Sequence, residues 1–195
     1  YAKTAAALMI NDRFQESTQK PYAPFLNAQA YDGENFVART KDAWTVTSVA
    51  SDEKVKEALA AMVRETERMK QHGFTESEYD RVRENILKAY ENAYNNRDKQ
   101  QNSSYTKQYV SSFTKNEPFL GIENEYELMK MIAPSIPVEV VNQLVGRLIQ
   151  DQNIVISISG PEKEDIVYPS EEDILAVLES TKAEEIEAYA EEVSD

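Results

Sequence analysis

The sequence contains no cysteine and only one histidine, His72, in 195 residues. The missing cysteines exclude disulfides, thiol nucleophiles and thiolate metal sites. Catalytic zinc is usually held by histidine, so a single histidine argues against a self-contained zinc enzyme. The five glycines form no phosphate-binding loop, and no serine lies in a nucleophile elbow. We therefore predict no catalytic, cofactor-binding or metal-ligating residue in this chain.

Positive charge is also scarce, with 21 Lys and Arg against 35 Asp and Glu and a net charge of -14. Phosphate backbones and anionic membranes bind clustered cations, so nucleic acid and a membrane surface are poor candidates as partners. No apolar run approaches the about 20 residues that cross a bilayer. No signal peptide opens the sequence, which begins at Tyr1, and we expect the chain to be a segment of a longer protein.

The acidic residues are concentrated at the end of the sequence. Residues 162–195 hold 13 Asp and Glu but only two Lys, so they carry most of the net charge. The whole chain is 41% hydrophobic and 29% charged, which is typical of a globular protein. We predict one domain over residues 1–161, followed by an acidic linker or tail over 162–195 that has one or two short helices and contributes little to the core.

Hydrophobic periodicity predicts an α+β fold with an antiparallel or mixed sheet and helices packed on one face of it. Gly73 is expected to end one helix in αL geometry, and Thr75 and Glu78 predict a capping box that starts the next. The predicted elements are, in chain order, a helix at 3–18, a meander of strands at 25–31, 36–39 and 44–50, helices at 52–72 and 76–97, a loop at 98–104, three shorter helices up to 148 with breaks at Pro118 and Pro134, a strand at 153–159, and tail helices starting near Ser170 and Ile186.

Several features look like functional sites but have simpler explanations. His72 falls in the last turn of a predicted helix, where an imidazolium favours the helix dipole, so we interpret it as a helix-end residue and not as a general base. Glu123 and Glu127 share one helix face but lack the other ligands of a cation site, and a solvated face explains them. The sequon at Asn102 is a short match without a secretory context. Five tyrosines at helical spacing are expected in the core and its rim and not in a peptide groove: Tyr79, Tyr90, Tyr94, Tyr105 and Tyr109.

Three segments, in this order, resemble a known family. The first helix reads Met-Ile-Asn-x-Arg-Phe-x-Glu over residues 9–16. The turn Gly73-Phe74-Thr75 is followed by Glu-x-Glu-Tyr-x-Arg-x-Arg over residues 76–83. The predicted strand Asn-Ile-Val-Ile-Ser-Ile then leads into Gly160-Pro161. Over residues 1–161 the chain resembles a non-catalytic α/β domain of the pitrilysin and insulinase family of zinc metallopeptidases.

The resemblance implies a fold and a function. Members are built from repeated domains of the mitochondrial-processing-peptidase-like metallohydrolase fold, and two halves enclose a chamber. Their zinc is held in the first domain by an inverted His-x-x-Glu-His motif and a distal Glu. Nothing in this chain matches that motif, so no catalytic or metal residue carries over. The implied function is that of a structural and substrate-chamber domain of a zinc metalloendopeptidase, with zinc expected in the parent enzyme and no cofactor in this segment.

The resemblance also implies a position within the parent. In some members the second half places an Arg and a Tyr near the substrate, but here Tyr22 is preceded by Gln15 at the corresponding position. The absent pair suggests the second domain of the first half. Family domains usually open with a strand before the first helix, and Tyr1 begins after it. We therefore expect the sheet to lack an edge strand, which would leave an edge open to pairing.

Two other functions stay open at the level of sequence. The chain could be a free-standing module that binds proteins or peptides, or part of an inactive core-type subunit of the same family. A His-x-x-Glu-His motif elsewhere in the parent would favour the peptidase, and its absence the inactive subunit. The expected partners are other domains of the parent and a peptide substrate, with no nucleic acid and no membrane insertion. The lack of cysteine and the resemblance together suggest an extracytoplasmic, periplasmic location.

Overall fold

Helices and one antiparallel pair of strands make up the described part of the chain, which confirms the predicted α+β class. The computed structural model describes residues 1–34, 41–99, 102–116, 118–162 and 166–191. The elements are α1 (Ala2–Gln19), β1 (Asn27–Glu34), β2 (Asp42–Val49), α2 (Val55–His72), α3 (Glu76–Asn95), α4 (Asn102–Lys115), α5 (Gly121–Ser135), α6 (Val138–Leu148) and α7 (Glu171–Lys182). None of the helices within these ranges has both the length and the apolar character of a membrane span.

The sheet has β1 and β2 paired with Asn27 opposite Val49. Ala28 and Ala30 point towards the core and are buried, whereas the residues between them are exposed. This alternation is the pattern of a strand with one covered face. The two strands therefore confirm the alternation read from the sequence at 25–31 and 44–50, with ends shifted by a few residues.

Helix α1 packs on the inner face of β1. Its buried side chains recur every three to four positions, which gives the helix one core-facing stripe: Ala5, Ala6, Met9, Ile10 and Phe14. The alanines let the helix lie close to the small side chains of β1. At the far end of the stripe the Phe14 ring meets Phe25 edge to face, with centroids 5.8 Å apart. Helices α2, α3 and α6 add their buried faces to the same core.

Asn11 joins α1 to the backbone of β1. Its side-chain Nδ2 donates to the Ala30 carbonyl at 3.1 Å, and its Oδ1 accepts from the Ala30 amide at 2.6 Å. An amide side chain that binds both groups of one residue imitates a neighbouring strand. A further strand at this position would have to displace Asn11. Whether the sheet lacks an edge strand stays a prediction.

The turn between α2 and α3 follows the sequence signals closely. Thr75 accepts from the Glu78 amide at 3.2 Å, and the Glu78 carboxylate accepts from the Thr75 amide at 2.8 Å, which confirms the capping box. Gly73 ends α2 with a φ of 72°, so the predicted positive φ is confirmed. Its ψ of -156° lies outside the αL region that we expected. A Cβ at this position would stand 2.5 Å from Cγ of Asn142 on α6, so only glycine fits here.

Two predicted elements are wrong. The chain over 153–159 is not part of a sheet among the described residues, although Ile156 and Ile158 are half-buried as an alternating strand would have them. The predicted helix near Ile186 is absent, and the chain from 185 to 191 has no regular secondary structure. The two differences have different physical reasons. A strand requires a second strand to pair with. Ile186, in contrast, is buried against the body in a non-helical backbone.

Smaller differences concern the central helices. Most of the predicted loop at 98–104 is a 3-10 turn and the start of α4. Pro134 does not break α5 but lies in its last turn, where the helix ends within one residue. The predicted strand at 36–39 lies outside the described residues.

Candidate functional site

Arg13 is the centre of a buried ion cluster that joins three helices. It follows Met9 by one helical turn, so the pattern of α1 places it at a core position, and it is only 2% exposed. Its Nε donates to Glu78 Oε1 at 2.6 Å, and one terminal nitrogen donates to Glu78 Oε2 at 2.9 Å. The other terminal nitrogen donates to Glu65 at 3.1 Å. The guanidinium therefore links α1 to α2 and α3 at the same time.

The same guanidinium also binds the turn between α2 and α3. It donates to the Gly73 carbonyl at 3.0 Å and lies over the ring of Phe74, 4.8 Å from the centroid. Asn142 of α6 holds the other side of this turn, accepting from the Phe74 amide at 2.8 Å and donating to its carbonyl at 3.1 Å. Two of the three segments that carry the resemblance, 9–16 and 73–83, thus meet around one side chain.

The charges of the cluster are compensated locally. Burial alone would lower the pKa of Arg13, but the hydrogen bonds and charges of Glu78 and Glu65 outweigh it and raise that pKa above its ordinary value. The second oxygen of Glu65 binds Arg68, and Glu78 also accepts from Thr75 in the capping box. Each carboxylate is therefore satisfied within the fold, and no group of the cluster is left free to act on a substrate. The cluster is a structural joint between the three helices.

Tyr79 makes a second joint next to the first. It is fully buried, donates to the Ile136 carbonyl at 2.6 Å, and lies 3.0 Å from the hydroxyl of Tyr1. Arg83 lies over its ring, 5.4 Å from the centroid. This contact ties α3 to the segment between α5 and α6, so Tyr79 belongs to the core.

The end of the chain crosses the same helices. We call residues 183–191 the strap. Arg64 binds Glu184 with two hydrogen bonds of 2.6 and 2.7 Å, and Arg81 binds Glu191 at 2.8 Å. Between these ends, Tyr189 lies over Arg13 with its ring centroid 4.3 Å from the guanidinium carbon. The strap therefore covers the ion cluster from the outside.

The structure places the other sequence-selected residues apart from one another. His72 is the last residue of α2, as predicted, but its Nε2 donates to the Ile186 carbonyl of the strap at 2.6 Å. Glu123 lies 3.4 Å from Arg97, and Glu127 pairs with Lys130 at 2.6 Å. The two glutamates thus pair with different cations on an exposed helix. The side chain of Asn102 lies outside the described residues.

The remaining tyrosines spread from the core to the surface. Tyr90 packs against the core, the Tyr94 ring lies 5.3 Å from that of Tyr126, and Tyr105 donates to the Arg97 carbonyl at 3.0 Å. Tyr22, in the segment compared with the substrate-binding segment of the family, is 95% exposed.

Helix α4 carries several exposed apolar side chains. Phe113 is 89% exposed, and the rings of Tyr109 and Phe119 contact each other at 4.6 Å. The large apolar side chains exposed on α4 and the start of α5 are Tyr109, Val110, Phe113, Phe119 and Leu120. Contiguous exposed apolar side chains are typical of a surface that another protein or domain covers.

The donor set does not fit a zinc ion. Within the described ranges no three His, Cys, Asp or Glu side chains come together in a metal-binding arrangement. The one imidazole is engaged with a backbone carbonyl, and the buried carboxylates Glu65 and Glu78 are bound to arginine. The absence of metal and catalytic residues stays a prediction from the sequence.

Three residues of the joint were not predicted from the sequence: Glu65, Asn142 and Tyr189. Glu65 had a visible signal, because it lies seven residues after Ala58 and four before Met69, both of which are buried on α2. A charged residue at such a core position indicates a buried partner. Asn142 and Tyr189 gave no comparable signal, since each contacts residues far away in the sequence.

The segment that contains the ion cluster is similar to known proteins. Residues 10–86 match the family described as the peptidase M16 inactive domain, and they include the cluster residues of α1, α2 and α3. A curated relative named zinc protease PQQL-like, from Arabidopsis thaliana, is 34% identical over 95 residues, which are 49% of this chain and 10% of the relative.

Solved structures show the same fold. The periplasmic protease PqqL from Escherichia coli superposes with a TM-score of 0.77 at 22% identity over 97% of this chain, which is 21% of PqqL. The first half of PqqL, solved separately, gives 0.76 over 97% of this chain and 40% of that structure. A predicted insulinase family protease from Yersinia pestis gives 0.68 at 10% identity over 93% of this chain and 38% of that structure.

The chain thus spans about a tenth of the curated relative's length and about a fifth of PqqL. The matched family is the one described as inactive, and the matched residues include Arg13, Glu65 and Glu78. Over residues 10–86 this chain therefore resembles the inactive domain of the peptidase M16 family, and over nearly all of its length it has the fold of a part of PqqL.

Proposed function

We propose that the chain is a structural and substrate-chamber domain of a zinc metalloendopeptidase whose zinc is bound by another domain of the same parent protein. The observation that carries the proposal is the saturated cluster around Arg13, which lies in the segment matched by the inactive domain. Such a cluster fixes the relative positions of α1, α2 and α3 and offers no free nucleophile or base. The three helices fixed in this way form a rigid wall.

The position within the parent is the second domain of the first half. The match to the separately solved first half of PqqL over 97% of this chain supports this position. The pair of the second half is incomplete here, because Gln15 stands where the Arg would be, seven residues before Tyr22, and this supports the position as well. The periplasmic location of PqqL supports an extracytoplasmic location for the parent.

Other domains of the parent are the proposed partners, and α4 is the surface that they would cover. Its exposed face carries Phe113 and Tyr109. Residues 102–115 contain Lys107 and Lys115 but no Asp or Glu, in contrast to the chain as a whole. A neighbouring domain with an apolar, acidic surface would suit this face.

The experiment compares the isolated chain with the longer parent. The dialysed chain is analysed for zinc and assayed with a fluorogenic peptide, and we expect neither tightly held zinc nor turnover. In the parent we expect both, and His72→Ala should leave kcat/KM unchanged because the His72 imidazole binds the strap backbone at Ile186. One zinc held per isolated chain, or turnover that His72→Ala abolishes, would contradict the proposal.

A second measurement concerns the proposed contact of α4 with other domains. In the parent, Phe113→Glu should open the contact, so limited proteolysis should cut the α4 region faster than in the wild type. The matched control is Tyr22→Glu, which changes an exposed aromatic of the body outside α4. Equal cleavage rates in the wild type and the Phe113 variant would contradict the assignment of this face to interdomain packing.

A further inference from the structure

The strap is bound to the body in the way that an extended peptide is bound in a groove. Residues 185–191 have no helix or strand pairing, so their contacts come from α1, α2 and α3. Ile186 is only 6% exposed although the residues on either side of it are exposed. An extended segment with one buried anchor between solvated neighbours is the usual form of a docked peptide.

The backbone of the strap is recognised at two consecutive residues by one face of α2. His72 Nε2 donates to the Ile186 carbonyl at 2.6 Å, and Arg68 Nε donates to the Glu187 carbonyl at 2.9 Å. Arg68 and His72 are four residues apart and thus lie on the same face of the helix. Contacts of this kind hold a peptide backbone without regard to its side chains.

The side chains of the strap supply the specificity. Tyr189 stacks on Arg13 at 4.3 Å, and its hydroxyl donates to both oxygens of Glu16 at 2.7 and 2.8 Å. Burial and the hydrogen bond to Glu16 raise the pKa of Tyr189 above its ordinary value, which keeps the hydroxyl a donor. A phenylalanine at this position would leave the carboxylate of Glu16 without this donor.

The two ends of the strap are held by arginines. Arg64 forms a bidentate pair with Glu184, and this pair lowers the pKa of the carboxyl. At the other end Glu191 accepts from Arg81 at 2.8 Å and from Ser77 at 3.1 Å, and its pKa is lowered as well. The groove therefore carries cations at both ends and matches an acidic occupant.

We propose that α1, α2 and α3 form a binding groove for an extended acidic peptide, and that the strap is its intramolecular occupant. The fitting partner has Glu at its first and eighth positions, a branched apolar residue at the third and Tyr at the sixth, as residues 184–191 do. A strap-like segment of another chain competes with the strap for the groove. The inference goes beyond the proposed role in a peptidase and does not depend on it, because it uses only contacts within this chain.

The test uses the full 195-residue chain and a fluorescein-labelled peptide with the sequence of residues 182–191. In the wild type the strap is present at an effective concentration on the order of millimolar and excludes the peptide. In the variant Glu184→Gln/Tyr189→Ala/Glu191→Gln the strap is weakened and the groove is intact. Fluorescence anisotropy should show at least tenfold tighter binding of the peptide to this variant than to the wild type.

Two controls separate the groove from unspecific binding. Adding Arg64→Gln and Arg81→Gln to the strap-weakened chain should abolish the gain, and a scrambled peptide of the same composition should not bind. Circular dichroism reports whether each variant is folded. A folded strap-weakened chain that binds the peptide no tighter than the wild type would overturn the proposal. A strap-weakened chain that does not fold would overturn it too, because the strap would then be part of the core and not an exchangeable occupant.

Discussion

Replacing Arg13 by methionine should remove the joint between α1, α2 and α3 while filling most of the same volume. The substitution leaves two carboxylates, Glu65 and Glu78, buried at 7% and 3% exposure without their shared cation. Breaking a buried ion pair by removing one partner typically costs about 3–5 kcal/mol, far more than the net worth of the pair itself. We therefore expect a large loss of stability from a change that conserves apolar volume.

The other partners of the two carboxylates place the expected loss of stability in the lower part of that range. Glu78 keeps its hydrogen bonds from Thr75, and Glu65 keeps Arg68, so neither carboxylate is fully stranded. This argues for about 3 kcal/mol from the two charges. The unpaired Gly73 carbonyl, which accepted from Arg13 at 3.0 Å, adds roughly 1 kcal/mol. The total of about 4 kcal/mol is a large part of the 5–15 kcal/mol that stabilises a typical domain.

Urea denaturation followed by circular dichroism measures this loss. With a slope of about 2–3 kcal/mol per molar, the midpoint should fall by roughly 1.3–2 M. The matched control is Arg147→Met on the exposed face of α6, which should change the free energy of unfolding by less than about 0.5 kcal/mol. The double variant Arg13→Met/Glu78→Gln should regain about half of the loss, because glutamine keeps the capping acceptor and carries no charge. A loss below about 1 kcal/mol, or a double variant no more stable than the single one, would refute the electrostatic reasoning.

Three further predictions concern the turn, the strap and the domain boundary. Gly73→Ala should cost about 1–3 kcal/mol in the free energy of unfolding, because its φ is 72° and the new Cβ would overlap Asn142; Gly146→Ala, where a Cβ meets nothing within 4 Å, is the control. Because arginine partners lower the pKa values of Glu184 and Glu191, their contribution is complete above the ordinary carboxyl pKa and is lost as pH falls through the lowered values. The hydrogen exchange of the strap, expressed relative to the intrinsic exchange rate at each pH, should therefore rise below about pH 5, and a ratio unchanged down to about pH 3 would contradict this. Truncation after residue 161 tests the predicted boundary: an independent domain would keep its stability, whereas the burial of Ile186 alone predicts a loss of about 2 kcal/mol on urea unfolding.

Local signals were read correctly where the neighbours in sequence are also the neighbours in space. The capping box of Thr75 and Glu78 and the positive φ of Gly73 depend on residues within one turn, and the structure has both. The stripe of α1 was equally readable, because its period alone decides which face is buried. These features identified the family segments before any packing was known.

The failures all involve distant partners. The alternation of residues 153–159 fits a strand, but pairing depends on a second segment that the local pattern does not contain. Ile186 and Tyr189 lie three residues apart, which suited one face of a helix, yet the strap extends to reach α2 and Arg13. Weak helix propensity in a glutamate-rich segment is easily overridden by such contacts. The order of the motifs was enough to predict a function. The ion cluster around Arg13, where two of those motifs meet, could not be predicted from the sequence.

The ion cluster has a consequence for synthesis on the ribosome. Arg13 and Glu78 are separated by 65 residues, so α1 cannot complete its main contact until α3 has been made. At about 5–20 residues per second, the helix waits roughly 3–13 seconds with its apolar stripe uncovered. During that interval the nascent chain exposes Met9 and Phe14, which become fully buried later. Chaperone occupancy of the nascent chain should therefore begin when α1 emerges and end when the segment around Glu78 leaves the exit tunnel.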